Sequence, residues 1–420
     1  MTYIDAAARA TVRRTVMPAD TAANGPVRVD LTIRGQGTVA FAIEGGAPFT
    51  LTIWGSDPGV PRLRWRVDEA GVSLARSPVL PETEWTYLPL AFQDRVKPAG
   101  LDPSSACTYW FSFDCHNRAV IYGKGEMRLG TSIAFHQFPM PEKDRPDESS
   151  WLMDLQSVEI DALIPGKIDI WRDPVTVEPP LRIVPHDAIT MDDIAEGQLT
   201  VPASLTPVCQ KLYDNVAGAS FILDTPDFPL FSAAIKASID DPDGWCRKVL
   251  EEKSAEFGDP PNIDKTYLRI TLGTNQGESP GIPFVMEIWP GGHYSPIHNH
   301  GGANAVIRVL HGEITVRMFP FLSPDHVRPF AVDTFVKEDV TWISAGLNQV
   351  HQLINLTPEP CITIQCYLYD EGDRTHWPYF DYLDGSSVEH FDPNSDATFL
   401  EFKRLMKAEW EGRALHPAES

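Results

Sequence analysis

The sequence is short of positive charge: 35 lysines and arginines stand against 58 aspartates and glutamates, a formal charge of −23. A nucleic-acid binder needs a basic footprint against phosphates, and an anionic membrane surface asks for the same, so both partners are disfavoured. The acidic excess reads as solubility. Cysteine is also scarce. Cys107, Cys115, Cys209, Cys246, Cys361 and Cys366 form no Cys-x-x-Cys pair, which argues against a disulfide framework and for free thiols in a reducing cytoplasm. No apolar run is long enough to span a bilayer, and Met1-Thr-Tyr-Ile-Asp5 lacks the basic stretch and apolar run of an export signal. What remains, 43% hydrophobic and 22% charged residues over 420 positions, is the make-up of a globular protein of two or three domains, expected in the cytoplasm.

A helical period is missing from the first 171 residues. After a small, polar stretch (1–26) expected to be frayed, short alternating runs follow at 27–33, 38–43, 49–54, 62–67, 85–88, 108–113 and 119–127. Glycine-bearing turns such as Arg34-Gly-Gln-Gly37 separate them, the pattern of an antiparallel β-sandwich. His116 and His136 are isolated, and no cluster of histidines and carboxylates stands at ligand spacing. The aromatic runs loosely resemble sandwich domains that bind sugars or mediate assembly. Residues 1–171 are therefore read as an accessory domain, with homo-oligomerisation as its expected role.

Residues 172–204 are proline-rich and read as a linker, with a short acidic turn of helix near 187–197. The third segment, 205–420, opens with helical punctuation: Thr206 as N-cap, Pro207 at the first helical position, then Val208, Leu212 and Val216 four apart. Further helices are expected near Phe231, Ile235 and Ile239, over 245–253, and at the C-terminal end, where Phe399, Phe402, Leu405 and Met406 share a face.

Between these helices the pattern is β, and it carries the chemistry. In Trp289-Pro-Gly-Gly-His-Tyr-Ser-Pro-Ile-His-Asn-His300, extended backbone puts His298 and His300 on one face, because side chains alternate with period two. His351 follows the turn-like Ala345-Gly-Leu-Asn-Gln349 and precedes another apolar strand. Gly292-x5-His298-x-His300, Gly312 and His351-x3-Asn355 resemble the two cupin motifs, which implies a small antiparallel β-barrel with a metal at its mouth. The glutamate that usually completes that site falls at Ala305, so three neutral histidines are expected with no carboxylate. In Tyr267-Leu-Arg-Ile-Thr-Leu272, Leu268, Ile270 and Leu272 share one face, and Tyr267, Arg269 and Thr271 the other. Along Cys361-Ile-Thr-Ile-Gln-Cys-Tyr-Leu368, Thr363, Gln365 and Tyr367 form one face; if it points inward with His351, the phenol reaches the metal.

Together these residues resemble the cysteine dioxygenase family of cupin thiol dioxygenases over roughly 205–382. The resemblance implies Fe(II) held by His298, His300 and His351, Arg269 as anchor of a substrate carboxylate and Tyr367 as the active-site phenol. Tyr267, Trp289, His293 and Gln365 would complete the substrate contacts. The implied reaction adds both atoms of O2 to the sulfur of a small thiol acid, cysteine or a mercapto acid, to give a sulfinate. Two positions depart from the family. Ala305 stands where the animal enzymes cross-link a cysteine to the tyrosine, and Gln365 where a histidine is usual. Two other readings remain open: a cupin dioxygenase of a substrate without a thiol, and a metal- or sugar-binding protein without catalysis.

Overall fold

In a computed structural model the chain divides into two units, Met1–Glu178 and Pro179–Ser420. The structure describes all residues except 1–12, 18–25, 44–46, 58–60, 78–83, 94–98, 103–106, 116, 140–148, 163, 165, 173, 176–180, 197–198, 258–259, 274–283, 302, 320–321, 325–326, 330, 345–349, 370–379 and 416–420. His116 and the turn at 345–349 thus lie outside the described residues.

The first unit holds two antiparallel sheets. One runs, in spatial order, Arg13–Val16, Ile168–Trp171, Gln36–Ile43, Cys107–Asp114, Ala119–Lys124, Ser132–Gln137, Ala91–Phe92. The other runs Val27–Asp30, Ser157–Asp161, Phe49–Trp54, Pro61–Asp68, Gly71–Arg76, Thr86–Leu88. Aromatic rings from both sheets meet: Phe49 packs edge-on against Phe41 at 5.6 Å and Tyr109 at 5.1 Å, and Trp65 lies 5.8 Å from Phe111. Such pairs add specific geometry to the burial that drives the packing. Phe41, Phe49, Trp65, Tyr109, Phe111 and Tyr122 are core, whereas Tyr87 and Phe92 are exposed. His136 sets Nδ1 2.7 Å from the Pro89 carbonyl. One expectation is corrected: the N-terminal stretch is not frayed throughout, because Arg13–Val16 pairs antiparallel with Ile168–Trp171. Arg-Arg-Thr-Val has too little apolar pattern to announce itself; the neighbouring strand supplies the order.

The expected linker is also more than a connection. Val175 is buried against the first unit, its N–H donating to Ser112 Oγ at 2.7 Å, whereas Arg182–Ile183 pairs with Thr341 and Val340 of the second unit. Two residues suffice for an edge strand, too short for a sequence period to reveal. The acidic helix is present as Met191–Glu196.

In the second unit a seven-stranded sheet runs Arg182–Ile183, Val340–Ile343, Asn304–His311, Cys361–Leu368, Phe284–Trp289, Leu268–Gly273, Ala397–Thr398. A three-stranded sheet runs Ala331–Val336, Glu313–Met318, His351–Ile354. Helices cover the outer face of the large sheet. Pro207–Val216 starts where expected, with Thr206 Oγ1 accepting from the Cys209 N–H at 3.0 Å, and Asn215 reaches Cys366 Sγ at 3.7 Å. Phe231–Asp240 packs on Phe399–Leu415 through Phe231 and Phe402, 5.8 Å apart. The inner face carries Tyr267, Trp289, Val309 and Cys361, packed against Ile314, Val316, Met318 and Phe335 of the small sheet. All six cysteines are buried and none is in a disulfide.

Gly312 turns one sheet strand into the other at φ +70°, and a Cβ there would lie 2.5 Å from the Pro360 carbonyl oxygen. Left-handed backbone is costly for other residues, and a backbone atom cannot step aside as a side-chain tip would. Gly312→Ala is expected to destabilise the protein by about 2 kcal/mol or more, read as a lower denaturant midpoint at unchanged slope.

Candidate metal centre

The three predicted ligands converge. His298 and His351 sit opposite each other on paired backbone: each N–H donates to the other's carbonyl at 2.9 Å. Their ring centroids are 4.5 Å apart, and His300 stacks nearly parallel to His351 at 4.9 Å. One nitrogen from each ring lies within 4.8 Å of the other two, and Nε2 of His300 is 3.4 Å from Nε2 of His351. Nδ1 of His298 is 3.0 Å from the Pro296 carbonyl. Donating there, it leaves Nε2 with the lone pair, the usual way a backbone carbonyl sets a ligand's tautomer.

Burial keeps His298 and His300 uncharged. It lowers the His298 imidazole to about 4, and depresses His300 well below the ordinary histidine range, with the neighbouring rings of His351 and His298 adding to the effect. Three imidazole nitrogens facing one point fit a divalent transition metal. His300 also stacks on Tyr367 at 5.7 Å and meets Phe380 at 4.5 Å.

These rings line one end of a cavity of about 70 Å³, counted over the positions that a water's centre can take. Its walls include Trp289, Ile307, Val309, Ile314, Val316, Met318 and Leu353. Thr363, Gln365 and Tyr367 all face it, as alternation along Cys361–Leu368 requires, and so do Tyr267 and Arg269. Tyr267 stacks on Trp289 at 4.3 Å with the rings 15° apart. Ala305 pairs directly across from Tyr367, so a methyl stands beside the phenol and no thioether can form there.

His293 does not line the cavity, although the resemblance groups it with the substrate contacts. The chain turns at Gly292 (φ +82°), and the buried ring points its Nδ1 at the Thr266 carbonyl, 2.8 Å away. Its backbone carbonyl accepts from Asn355, whose side chain donates to the Trp289 and Glu359 carbonyls at 2.9 and 2.7 Å. Both residues hold the turn that delivers His298.

Two features escape a reading of the sequence. Among the described residues the grouped ligand atoms are those of the three histidines, and Glu287 lines the same cavity. It lies directly across from Arg269 in the strand register, and Arg269 Nη1 donates to its Oε1 at 2.7 Å, both side chains 5% exposed. Gln365 Nε2 donates to Oε2 at 2.5 Å, and the Tyr367 hydroxyl donates to Gln365 Oε1. The signal is a lone acid in the apolar run Phe284-Val-Met-Glu-Ile-Trp289, with Val285, Glu287 and Trp289 in phase. Burial alone would lower the Arg269 pKa, but Glu287 together with Tyr267 and Tyr367 outweighs it and the guanidinium stays charged; burial lifts the Glu287 carboxyl against the pull of Arg269. Secondly, a hairpin, Phe380–Asp384 with Ser387–Phe391, pairs with the ligand strand. The Asn299 N–H donates to the Asp381 carbonyl at 3.0 Å and the Leu383 N–H to the Ile297 carbonyl at 2.8 Å. Asp384-Gly385, with Gly385 at φ +56°, is the legible cue for it.

No family model matches the chain. Among solved structures, the TT1209 protein from Thermus thermophilus is 12% identical, over 28% of this chain and 92% of its own, at TM-score 0.19. A cupin domain of an XRE-family transcriptional regulator from Enterobacter cloacae is 13% identical over 21% of this chain and 81% of its own, at TM-score 0.17. A cupin superfamily protein from Desulfitobacterium hafniense is 14% identical over 25% and 79%, at TM-score 0.19. Likenesses of this size carry no argument.

Two outcomes are expected. A histidine whose folded pKa is depressed binds its proton later than in the unfolded chain, so stability falls as pH drops from about 6.5 toward 4. Metal-free protein should lose on the order of 2 kcal/mol across that window from His298, and a flat melting temperature between pH 6.5 and 4.5 would contradict its burial as a neutral ring. Separately, Arg269→Ala or Glu287→Ala alone strands a buried charge and should cost about 3–5 kcal/mol, whereas Arg269→Met with Glu287→Met should recover most of it. Urea melts of the three variants compare the two.

Proposed function

We propose that the second unit is an iron-dependent dioxygenase of a small thiol, with cysteine the leading candidate. The observation that carries this reading is the convergence of three imidazoles beside a protonated phenol in a cavity of about 70 Å³. At roughly 10–15 Å³ per water centre, that space holds about five waters. A molecule of six or seven heavy atoms suits it; a multi-ring substrate does not. The reaction RSH + O2 → RSO2⁻ + H⁺ balances with no external reductant.

His298, His300 and His351 would hold the metal. Ferrous iron in such a site supplies positions for sulfur and dioxygen and the one-electron chemistry that dioxygen requires. The ligands bring no negative charge, which favours an anionic thiolate over a neutral thiol. Tyr367 keeps its proton, because burial pushes the phenol far above its ordinary pKa. Gln365 accepts that proton in a hydrogen bond and the ring stacks on His300, so the phenol oxygen turns its lone pairs to the cavity as a positioned acceptor. The apolar wall excludes water from the reacting sulfur. The resemblance makes Arg269 the grip for a substrate carboxylate; in this structure its Nη1 is already bonded to Glu287, so the proposal does not rest on an acid end.

Iron-loaded protein supplied with cysteine is expected to consume one O2 per sulfinate formed. His351→Ala should lose both the iron and the oxygen uptake. Tyr367→Phe should keep the iron and slow turnover by about 10–100-fold, the usual scale for a group that orients the primary ligands or substrate. Absence of oxygen uptake across a panel of small thiols, with iron content verified, would sink the assignment.

A further inference from the structure

The cavity has a second polar group of its own, opposite in character to the histidines. Arg269 and Glu287 form a buried ion pair on the wall, and Gln365 occupies the other carboxylate oxygen. One cation and one anion sit there together, so the wall carries dipoles and no net charge. What it still offers is specific: Arg269 Nε is buried without a hydrogen-bond partner, and a carboxylate oxygen accepts more than one hydrogen bond. The site therefore presents one donor and a few acceptor lone pairs side by side. A lone carboxylate reaching Nε would enter beside Glu287, a second anion against a single guanidinium. A lone ammonium would meet the reverse problem at Arg269. An uncharged amide or hydroxyl, or the paired charges of an α-amino acid head, satisfies both without adding charge to a water-poor space.

We propose that Glu287 is a specificity-determining residue: by neutralising Arg269 it makes the cavity select thiols whose far end carries no net charge and reject simple mercapto acids. The inference rests on the thiol reading above and narrows it. Glu287 acts by occupying the guanidinium and touches no reacting atom. Removing its charge while keeping its shape turns Arg269 into an unpaired buried cation, which then prefers a carboxylate.

The test uses two probes of equal size, 3-mercaptopropionamide and 3-mercaptopropionate, bound without oxygen to the full-length, iron-loaded protein. Binding is read from the change each causes in the electron-spin-resonance spectrum of the ferrous–nitric oxide complex. Wild-type protein is expected to bind the amide at least tenfold more tightly than the acid. Glu287→Gln should reverse the order. Arg269→Gln combined with Glu287→Gln, which leaves no charge, should again favour the amide and serves as the control if the single variant folds poorly. Equal or tighter binding of the acid by wild type, or an unchanged ratio in Glu287→Gln, would overturn the role of Glu287 and leave the thiol assignment standing. If neither probe alters the iron signal of wild-type protein, the thiol assignment itself falls, and this selectivity with it.

Discussion

The convergence of the three histidines depends on one backbone pairing. His298 and His351 are 53 positions apart in sequence, yet they exchange both N–H···O=C bonds, as in a hydrogen-bonded antiparallel pair. That exchange fixes the spacing of their Cα atoms and aims both side chains to the same side. His300, two residues on, joins by the period of extended chain. The ligand geometry is thus a property of main-chain hydrogen bonds, which do not require a metal to form. Asn355, His293 and the glycine turn before His298 keep that pairing in register, and the hairpin at Phe380–Phe391 closes its other edge.

Much of the second unit could be read from residues alone, because its strands alternate cleanly. Tyr267, Arg269, Thr363, Gln365 and Tyr367 reach the cavity by simple counting, and Thr206-Pro207 announces its helix through chemistry confined to four residues. What could not be read was pairwise. Glu287 is in phase with Trp289, but its meaning depends on the strand register that sets it opposite Arg269, and register is a fact about two strands. His293 failed for a related reason: Gly292 adopts a left-handed conformation, which breaks the alternation that would have turned the ring inward. Arg13–Val16 and Arg182–Ile183 were missed because edge strands this short take their order from the neighbour they pair with.

The first unit shows the same logic. Its aromatic runs loosely resemble a ligand platform but read better as core, and the ring contacts between Phe41, Phe49, Trp65, Tyr109 and Phe111 show these five used in packing. A ring that fills a core at close contact is not available to stack on a ligand.

The polar row across the cavity explains how Tyr367 is oriented with Ala305, and no cysteine, directly across from it. A covalent tether would fix the phenol directly; here Gln365 holds its hydroxyl, Glu287 holds the Gln365 amide, and Arg269 holds Glu287. Each member satisfies the next, so the row is stable only as a whole, and any one change leaves a buried polar group without its partner. Glutamine suits this chain better than an imidazole would. Its amide accepts from the phenol with one atom and donates to the carboxylate with another, without ever taking a proton. The hydrogen-bond direction from Tyr367 through to Glu287 is therefore the same at every pH at which Glu287 is ionised. The phenol and the ion pair are consequently one device, and the charge that Glu287 gives the cavity wall is tied to the orientation of the ring that stacks on His300.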